Sequence, residues 1–382
     1  METTRLYYEN VYIKEFEGKV LDCREEKNGY RIILDKSAFY PEGGGQPSDK
    51  GFLNEVEVME VHEKGEELLH YTKEPLEVGD VVTGRIDWAR RFDLMQQHSG
   101  EHMVSGLINA AFGYDNVGFH MGSDLITIDF NGMITAEQMA EIEKKANEKI
   151  WENAEVEITY PSPEELKELP YRSKKELTGK VRIVRFPGAD LCACCGTHVT
   201  RTGEIGMVKL LSVVKFREGV RMEMLCGKRV LDYLNMVNEQ NHEVSVKLSA
   251  KPNQTGQAVQ RLLDENFQLK GRVIRMEEEL FASEAQKWQD CGDVLLFQEG
   301  LEADGVRKLT DAVMQSCKGR CAVFSKNPDG TYKYAIGEEN GDLRQFTKDM
   351  NASLNGRGGG KPFFVQGSVQ ATEEQIREFF AK

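Results

Sequence analysis

Apolar and polar residues alternate through the first part of the chain, the period-two pattern of half-buried strands. In "KVLDCREEKNGYRIILD" (19–35) the alternation runs on both sides of "KNG", which predicts a hairpin turning on that tripeptide. "DVVTGRID" (80–87) reads as another short strand, and "FYPEGGGQPSDKGFL" (39–53) as a long glycine-rich loop. Residues 1–86 are therefore expected to form a small barrel or sandwich. Near Asp87 the period changes to that of a helix. Leu94, Met95, His98, His102, Leu107 and Ile108 fall at helical spacings, with Asp87 as a candidate cap and Gly113 as a stop. "LITIDF" (125–130) returns to strand, and "TAEQMAEIEKKANEKIWENA" (135–154) is an amphipathic helix whose Thr135 and Gln138 fit a capping box. "EVEITYPS", "KVRIVRF", "EIGMVKLLSVVKF" and "VRMEMLCG" read as strands.

From about Arg229 the pattern turns helical. Val259, Leu262, Asn266, Leu269, Val273, Met276 and Leu280 follow alternating steps of three and four. That is a short heptad seam with Asn266 as its polar member. It suits either a homodimer through the 259–280 helix or an intramolecular helical hairpin. "DVLLFQEG", "CAVFSKN", "YKYAIGE" and "TEEQIREFFA" then read as a separate α/β domain. The fold class expected is α+β: a small N-terminal β-barrel (1–86), an α+β domain (87–230), a helical linker or coiled coil (231–290) and a C-terminal α/β domain (291–382).

Composition narrows the class. At 382 residues, 40% hydrophobic and 29% charged, the balance is that of a globular protein. No signal peptide or membrane-length apolar run is visible, and eight irregularly spread cysteines give no disulfide framework; the expectation is a cytoplasmic protein with no membrane partner. A net charge of −14 argues against non-specific coating of nucleic acid. Between Tyr171 and Arg229, however, thirteen Lys and Arg face five acids, a local net of +8. This is either a solvated face or a surface for a polyanion.

Candidate chemistry lies in two places. His98 and His102 are four apart on the predicted helix, so both rings project from one face. Ser99 stands where a zinc protease needs glutamate, so that motif fails, and Glu101 points to another face. In "LCACCGTHVTRTGEIG" (191–206), Cys194 and His198 repeat the four-residue spacing. Together the pairs supply four good zinc donors. The alternative is a set of buried core histidines and small hydrophobic cysteines. Spacing alone does not choose among Cys192, Cys194 and Cys195. The glycine run 356–360 fails the phosphate-loop pattern, because Asn355 holds the first glycine's place and Pro362 follows Lys361.

"HSGEH" followed by "CACCGTHVTRTGEIG" resembles the editing domain of alanyl-tRNA synthetases and their freestanding alanyl-tRNA editing relatives, whose signature is H-x-x-x-H and, much later, C-x-x-x-H. "FYPEGGGQPSDKG" resembles the loop of the preceding β-barrel, and "NGRGGGKPFFVQG" the glycine motif of the DHHA1 domain, so the likeness covers nearly the whole chain. It implies a zinc-binding editing domain with His98, His102, Cys194 and His198 as ligands, although Cys195 stands where the family usually has glycine. It also implies that the chain lacks the aminoacylation and tRNA-recognition domains ahead of the barrel and acts in trans.

The implied reaction is hydrolysis of mischarged Ser-tRNA(Ala), with glycine as the second wrong amino acid and Ala-tRNA(Ala) spared. The alternative is a tRNA-binding zinc protein without hydrolytic activity. A phosphoesterase of the kind that also carries DHHA1 needs an Asp-His-His motif, and none is present. Editing of another tRNA, as in the related domain of threonyl-tRNA synthetases, is disfavoured by the C-terminal glycine motif. The resemblance places His120 either in the catalytic pocket or on the surface. Gly43, Gly44, Gly45 and Gln46 either line the approach of the substrate or make a plain tight turn. Arg357, Gly358, Gly359, Gly360 and Lys361 are expected to meet tRNA, with Arg357 and Lys361 on phosphate.

Overall fold

The computed structural model describes residues 2–173 and 180–381. The chain forms two compact units, Met1–Asn241 and His242–Lys382. Lys174, Lys175 and Glu176 of the basic stretch lie outside the described residues.

After a helical turn at Leu6–Glu9, and apart from the two-residue pair Thr4–Arg5 with Lys36–Ser37, unit one has six strands up to residue 86: β1 (Glu15–Glu26), β2 (Gly29–Leu34), β3 (Gly51–Leu53), β4 (Val56–Lys64), β5 (Glu67–Thr72) and β6 (Val81–Ile86). They hydrogen-bond in the order β1-β2-β5-β4-β3-β6 and close into a barrel. Closure depends on β1. Its first half (Glu15–Lys19) pairs with β6, and its second half, beyond a bulge at Val20–Asp22, pairs with β2. Glu26 faces Gly29 across the expected "KNG" turn. Ile32, Leu34, Phe39, Leu53, Val58 and Leu68 fill the interior.

Helix α1 (Trp88–Phe112) follows, begun by the Asp87 side chain, which accepts from the Arg90 N–H, and ended at Gly113 with φ 71°. The pattern predicted one apolar face. Instead every residue from Leu94 to Gly106 is buried, the polar ones included. The helix is enclosed by the rest of unit one, so its polar residues serve as connectors. Arg91, fully buried, ion-pairs with Asp49 of the glycine-rich loop and donates to the carbonyls of Ala38 and Val11. The Gln97 amide exchanges two hydrogen bonds with the Cys226 backbone.

Beside a short helix (Pro163–Glu168) and a 3-10 turn (Thr202–Ile205), the chain goes on through β7 (Asn116–Met121), β8 (Ile126–Phe130), α2 (Ala136–Trp151), β9 (Glu157–Thr159), β10 (Ile183–Phe186), β11 (Asp190–Ala193), β12 (Val208–Phe216) and β13 (Gly219–Cys226). They give an antiparallel sheet in the order β12-β13-β8-β7 and a three-stranded one in the order β9-β10-β11. Thr135 and Gln138 form the full capping box of α2. Leu94, Met103, Ile108, Ile128, Ile142, Phe186 and Met222 belong to the common core. Helix α3 (Lys228–Lys247) runs from unit one into unit two.

Unit two begins with α4 (Thr255–Lys287), followed by β14 (Gly292–Glu299), α5 (Ala303–Cys317), β15 (Lys318–Lys326), β16 (Tyr332–Gly337), α6 (Leu343–Ser353), β17 (Gly356–Lys361), β18 (Phe364–Val369) and α7 (Glu373–Phe380). The sheet order is β14-β15-β16-β18-β17, with only the β14–β15 pair parallel. Alternate residues serve two cores: Val323 and Ala335 pack with α5 residues, while Phe324 and Tyr334 pack with residues of α6 and α7. On α4 only Ala258, Phe281 and Ala285 are buried, and Leu262, Phe267, Leu269, Val273, Met276 and Leu280 are exposed. Among the described residues no helix is long and apolar enough to cross a membrane.

Candidate metal centre

The helical spacing of His98 and His102 brings both rings to the same face of α1, their centroids 5.2 Å apart. Cys194 and His198 come from the loop that follows β11. One donor atom from each of these four residues lies within 4.8 Å of every other. Cys194 Sγ is 3.5 Å from His98 Nε2 and 3.3 Å from His198 Nε2. A tetrahedral zinc with Zn–N near 2.0–2.1 Å and one Zn–S near 2.3 Å has edges of roughly 3.3–3.6 Å, and the two Cys194–imidazole distances fall in that range.

The outer nitrogens are held elsewhere, which aims the inner ones at each other. His98 Nδ1 donates to Gln46 Oε1 at 2.9 Å, and His102 Nδ1 donates to Asp190 Oδ2 at 2.8 Å. His198 Nδ1 lies 3.5 Å from Ser99 Oγ, which also accepts the Val199 N–H. The loop itself is clamped from several sides. Arg182 donates to the carbonyls of Cys194 and Gly196, and Tyr8 donates to that of Cys195. Glu204 gathers the N–H groups of Thr200 and Arg201 and the Tyr12 hydroxyl. The "TRTGE" run is thus the brace of the ligand loop.

Electrostatics put two of the donors, Cys194 and His198, in the protonation states that binding requires, while at His102 the proton must be displaced. Burial opposes ionisation of Cys194, but the imidazoles of His98, His198 and His102 hold its thiol well below the ordinary value. The Gly196 N–H donates to its sulfur at 3.3 Å. Burial pushes His198 down to about 3, so its ring is neutral. For His102 burial acts downward but is outweighed by hydrogen bonds to Asp190, Cys192 and Cys194, and its value rises.

Of the three cysteines, Cys194 is the one within reach of all three histidines. Cys195 is exposed on the loop, and Cys192 is buried beside His102 and Asp190. Gln46, expected on the substrate's path, is fully buried; its amide is committed to His98 and to the N–H and hydroxyl of Thr197. Gly44 and Gly45 sit on the exposed turn with φ of 62° and 88°, and Gly43 closes it by pairing with Gln46. His120 is not brought into the cluster. Phe119 stacks on His98, and the next residue of β7 points to the opposite face, where His120 is exposed. Arg357 to Lys361 lie on β17, an edge strand of unit two that pairs only with β18. Spacing did not reveal Asp190, Arg172, Ser99 or Phe119. Six of the thirteen cations of the basic stretch are ion-paired among the described residues: Arg172 with Asp190, Arg185 with Glu157, Lys209 with Glu143, Arg221 with Asp129, Lys228 with Asp232 and Arg229 with Asp93.

Residues 181–222 match the family model of the threonyl and alanyl tRNA synthetase second additional domain. Residues 2–90 match that of the class II (A) tRNA synthetases, and residues 291–382 that of the DHHA1 domain. A barrel, a four-donor centre that takes Cys194 and His198 from the residues matching the second additional domain, and a DHHA1 unit together mark the class of synthetase-related editing proteins. An alanyl-tRNA editing protein AlaX-L of Pyrococcus horikoshii is 29% identical over 97% of this chain and 96% of its own length. The alanyl-tRNA editing protein Aarsd1 of Bos taurus is 33% identical over 63% of the chain and 57% of its own. An alanine–tRNA ligase of Halorubrum lacusprofundi is 30% identical over 96% of the chain but only 42% of its own length. The chain belongs to the alanyl-tRNA editing protein family.

Proposed function

We propose that this protein hydrolyses the ester joining a wrong amino acid to tRNA(Ala), acting in trans on Ser-tRNA(Ala) and on Gly-tRNA(Ala) and sparing Ala-tRNA(Ala). The observation that carries the reading is the convergence of His98, His102, Cys194 and His198 from two distant segments in a chain of this family. Three imidazoles and a thiolate suit zinc in particular. Zinc held there would orient the substrate and polarise the ester carbonyl.

The chain's own residues hold the geometry. Gln46 and Asp190 orient the ligand rings, and Phe119 and Phe186 flank His98 and His102 with apolar surface that keeps water off the donors. The ester is already activated, so positioning and charge stabilisation suffice without a covalent nucleophile. Discrimination against alanine follows from a polar group that the serine hydroxyl satisfies and that alanine would leave unpaired. Gly43, Gly44 and Gly45 let the acceptor end approach closely at the exposed turn. On the edge strand of unit two, Arg357 and Lys361 serve phosphates and Gly358, Gly359 and Gly360 admit the tRNA backbone. The exposed apolar residues of α4 favour a homodimer through 259–280.

One observation favours a second reading, a tRNA-binding zinc protein without hydrolysis: a set of four protein ligands is the usual form of a structural zinc site. Replacing His102 by Ala separates the two. The enzyme reading predicts loss of deacylation by at least about 100-fold while tRNA affinity and the fold persist. If the wild type itself releases no amino acid, the second reading stands.

A further inference from the structure

The three candidate ligand histidines differ in what holds their outer nitrogens. His98 rests on a neutral amide, and His198 has a 3.5 Å approach to a hydroxyl. His102 alone donates to a carboxylate, Asp190. That carboxylate is buried and gripped from behind by Arg172, whose Nε reaches Oδ1 at 2.8 Å and whose Nη2 reaches Oδ2 at 2.7 Å. Arg172 is also fixed at its backbone: its N–H donates to Leu191 and its carbonyl accepts from Ala193, on either side of Cys192. The residue is therefore laced into β11, the strand that leads to Cys194.

His102, Asp190 and Cys192 also form a compact donor group of their own. Arg172 occupies both oxygens of that carboxylate, so a fixed guanidinium already stands where a second cation would sit. A bidentate arginine pair is directional, which fixes the carboxylate plane as well as its charge. The carboxylate in turn fixes the tautomer and rotation of His102, leaving Nε2 toward the other donors.

We propose that Arg172 is a positioning residue of the metal centre: acting through Asp190 on His102, it sets how tightly the centre holds its single ion, while touching neither ion nor substrate. This rests on the reading that the four-donor cluster binds a metal.

The test uses the full chain loaded with Co2+ or Zn2+. Ion stoichiometry is measured, then the rate of ion transfer to a coloured chelator, for wild type, Arg172→Met, Arg172→Lys, Asp190→Asn and the double variant Arg172→Met with Asp190→Asn. Melting of each chelator-stripped protein is followed alongside. Wild type is expected to hold one ion. Arg172→Met and Asp190→Asn each release it about 10- to 100-fold faster, and the double variant is little faster than either, because both act on one path. Arg172→Lys falls between, since lysine restores the charge but not the fork. The cobalt absorption bands shift in the variants, whereas melting of the stripped proteins stays within a few degrees of wild type.

Release from Arg172→Met at the wild-type rate overturns the proposal. So does faster release matched by a comparable fall in the stripped protein's stability, which marks a merely structural role. Should Arg172→Met not fold, Arg172→Lys decides, and a wild-type release rate there is equally fatal. Two ions per wild-type chain also overturn it. A wild type that binds no ion defeats the metal reading itself, which is a distinguishable result.

Discussion

A side chain at Gly196 would collide with His98: an added Cβ would stand 2.1 Å from the ring's Cε1 and 2.4 Å from Nδ1. The ligand loop can carry Cys194 and His198 up to helix α1 only because this position is bare. Gly196→Ala should therefore push His98 off Gln46 and weaken metal binding at least about tenfold, measured by chelator competition. Retention at the wild-type level would show that the loop gives way at no cost. His120 should behave oppositely. His120→Ala is expected to leave metal content and the deacylation rate within about threefold of wild type, since it faces away from the cluster. At this scale the four donors were legible because each pair is local, i and i+4 on a helix or in one loop. Asp190, Arg172 and Gln46 were not, because nothing in a local period shows that a residue far along the chain, or one between two cysteines and a glycine turn, will meet a given imidazole nitrogen.

Among the elements, the barrel carries a histidine with no part in the centre. His70 on β5 is fully buried, donating to the Ile32 carbonyl and accepting from the Ser37 hydroxyl. Burial lowers its pKa to about 4 from 6.5, against a smaller upward pull from backbone hydrogen bonds. The unfolded chain therefore takes up a proton near pH 6.5 that the folded barrel refuses until about pH 4. This contribution is fully present above 6.5 and is lost as pH falls toward 4. Wild type should lose about 2 kcal/mol more than His70→Gln between pH 7 and pH 5, read by urea unfolding at both values. Equal losses would contradict it. The hairpin at "KNG" and the caps at Asp87 and Thr135 were legible, since turns and caps are local chemistry. The environment of α1 was not: its Gln, Ser and Glu residues look like a solvent face, yet Gln96, Gln97 and Ser99 are buried with partners from distant segments, and Ser105 and Glu101 are buried bonding each other and Asn116. Helix α4 departs in the other direction, with its seam residues in solvent. If they bury against a second copy, Leu269→Lys with Met276→Lys should turn a dimer into a monomer by light scattering. A wild-type monomer at micromolar concentration would remove that reading.

For the molecule as a whole, charge had suggested a basic surface beside the centre, and the structure pairs six of those thirteen cations with carboxylates among the described residues of unit one. The proposed phosphate contacts of Arg357 and Lys361, on the open edge of unit two, can be tested directly. Replacing both by Ala should raise KM for charged tRNA several-fold and lower its salt dependence by about two phosphates' worth, with kcat little changed; an unaltered KM would place the tRNA elsewhere. The central claim is the chemistry of the ester, and its most direct test is deacylation of seryl-, glycyl- and alanyl-tRNA(Ala) by the metal-loaded full chain. Rapid release of serine and glycine with alanine retained is the predicted result. Survival of all three esters, or release of alanine as fast as serine, would contradict the account.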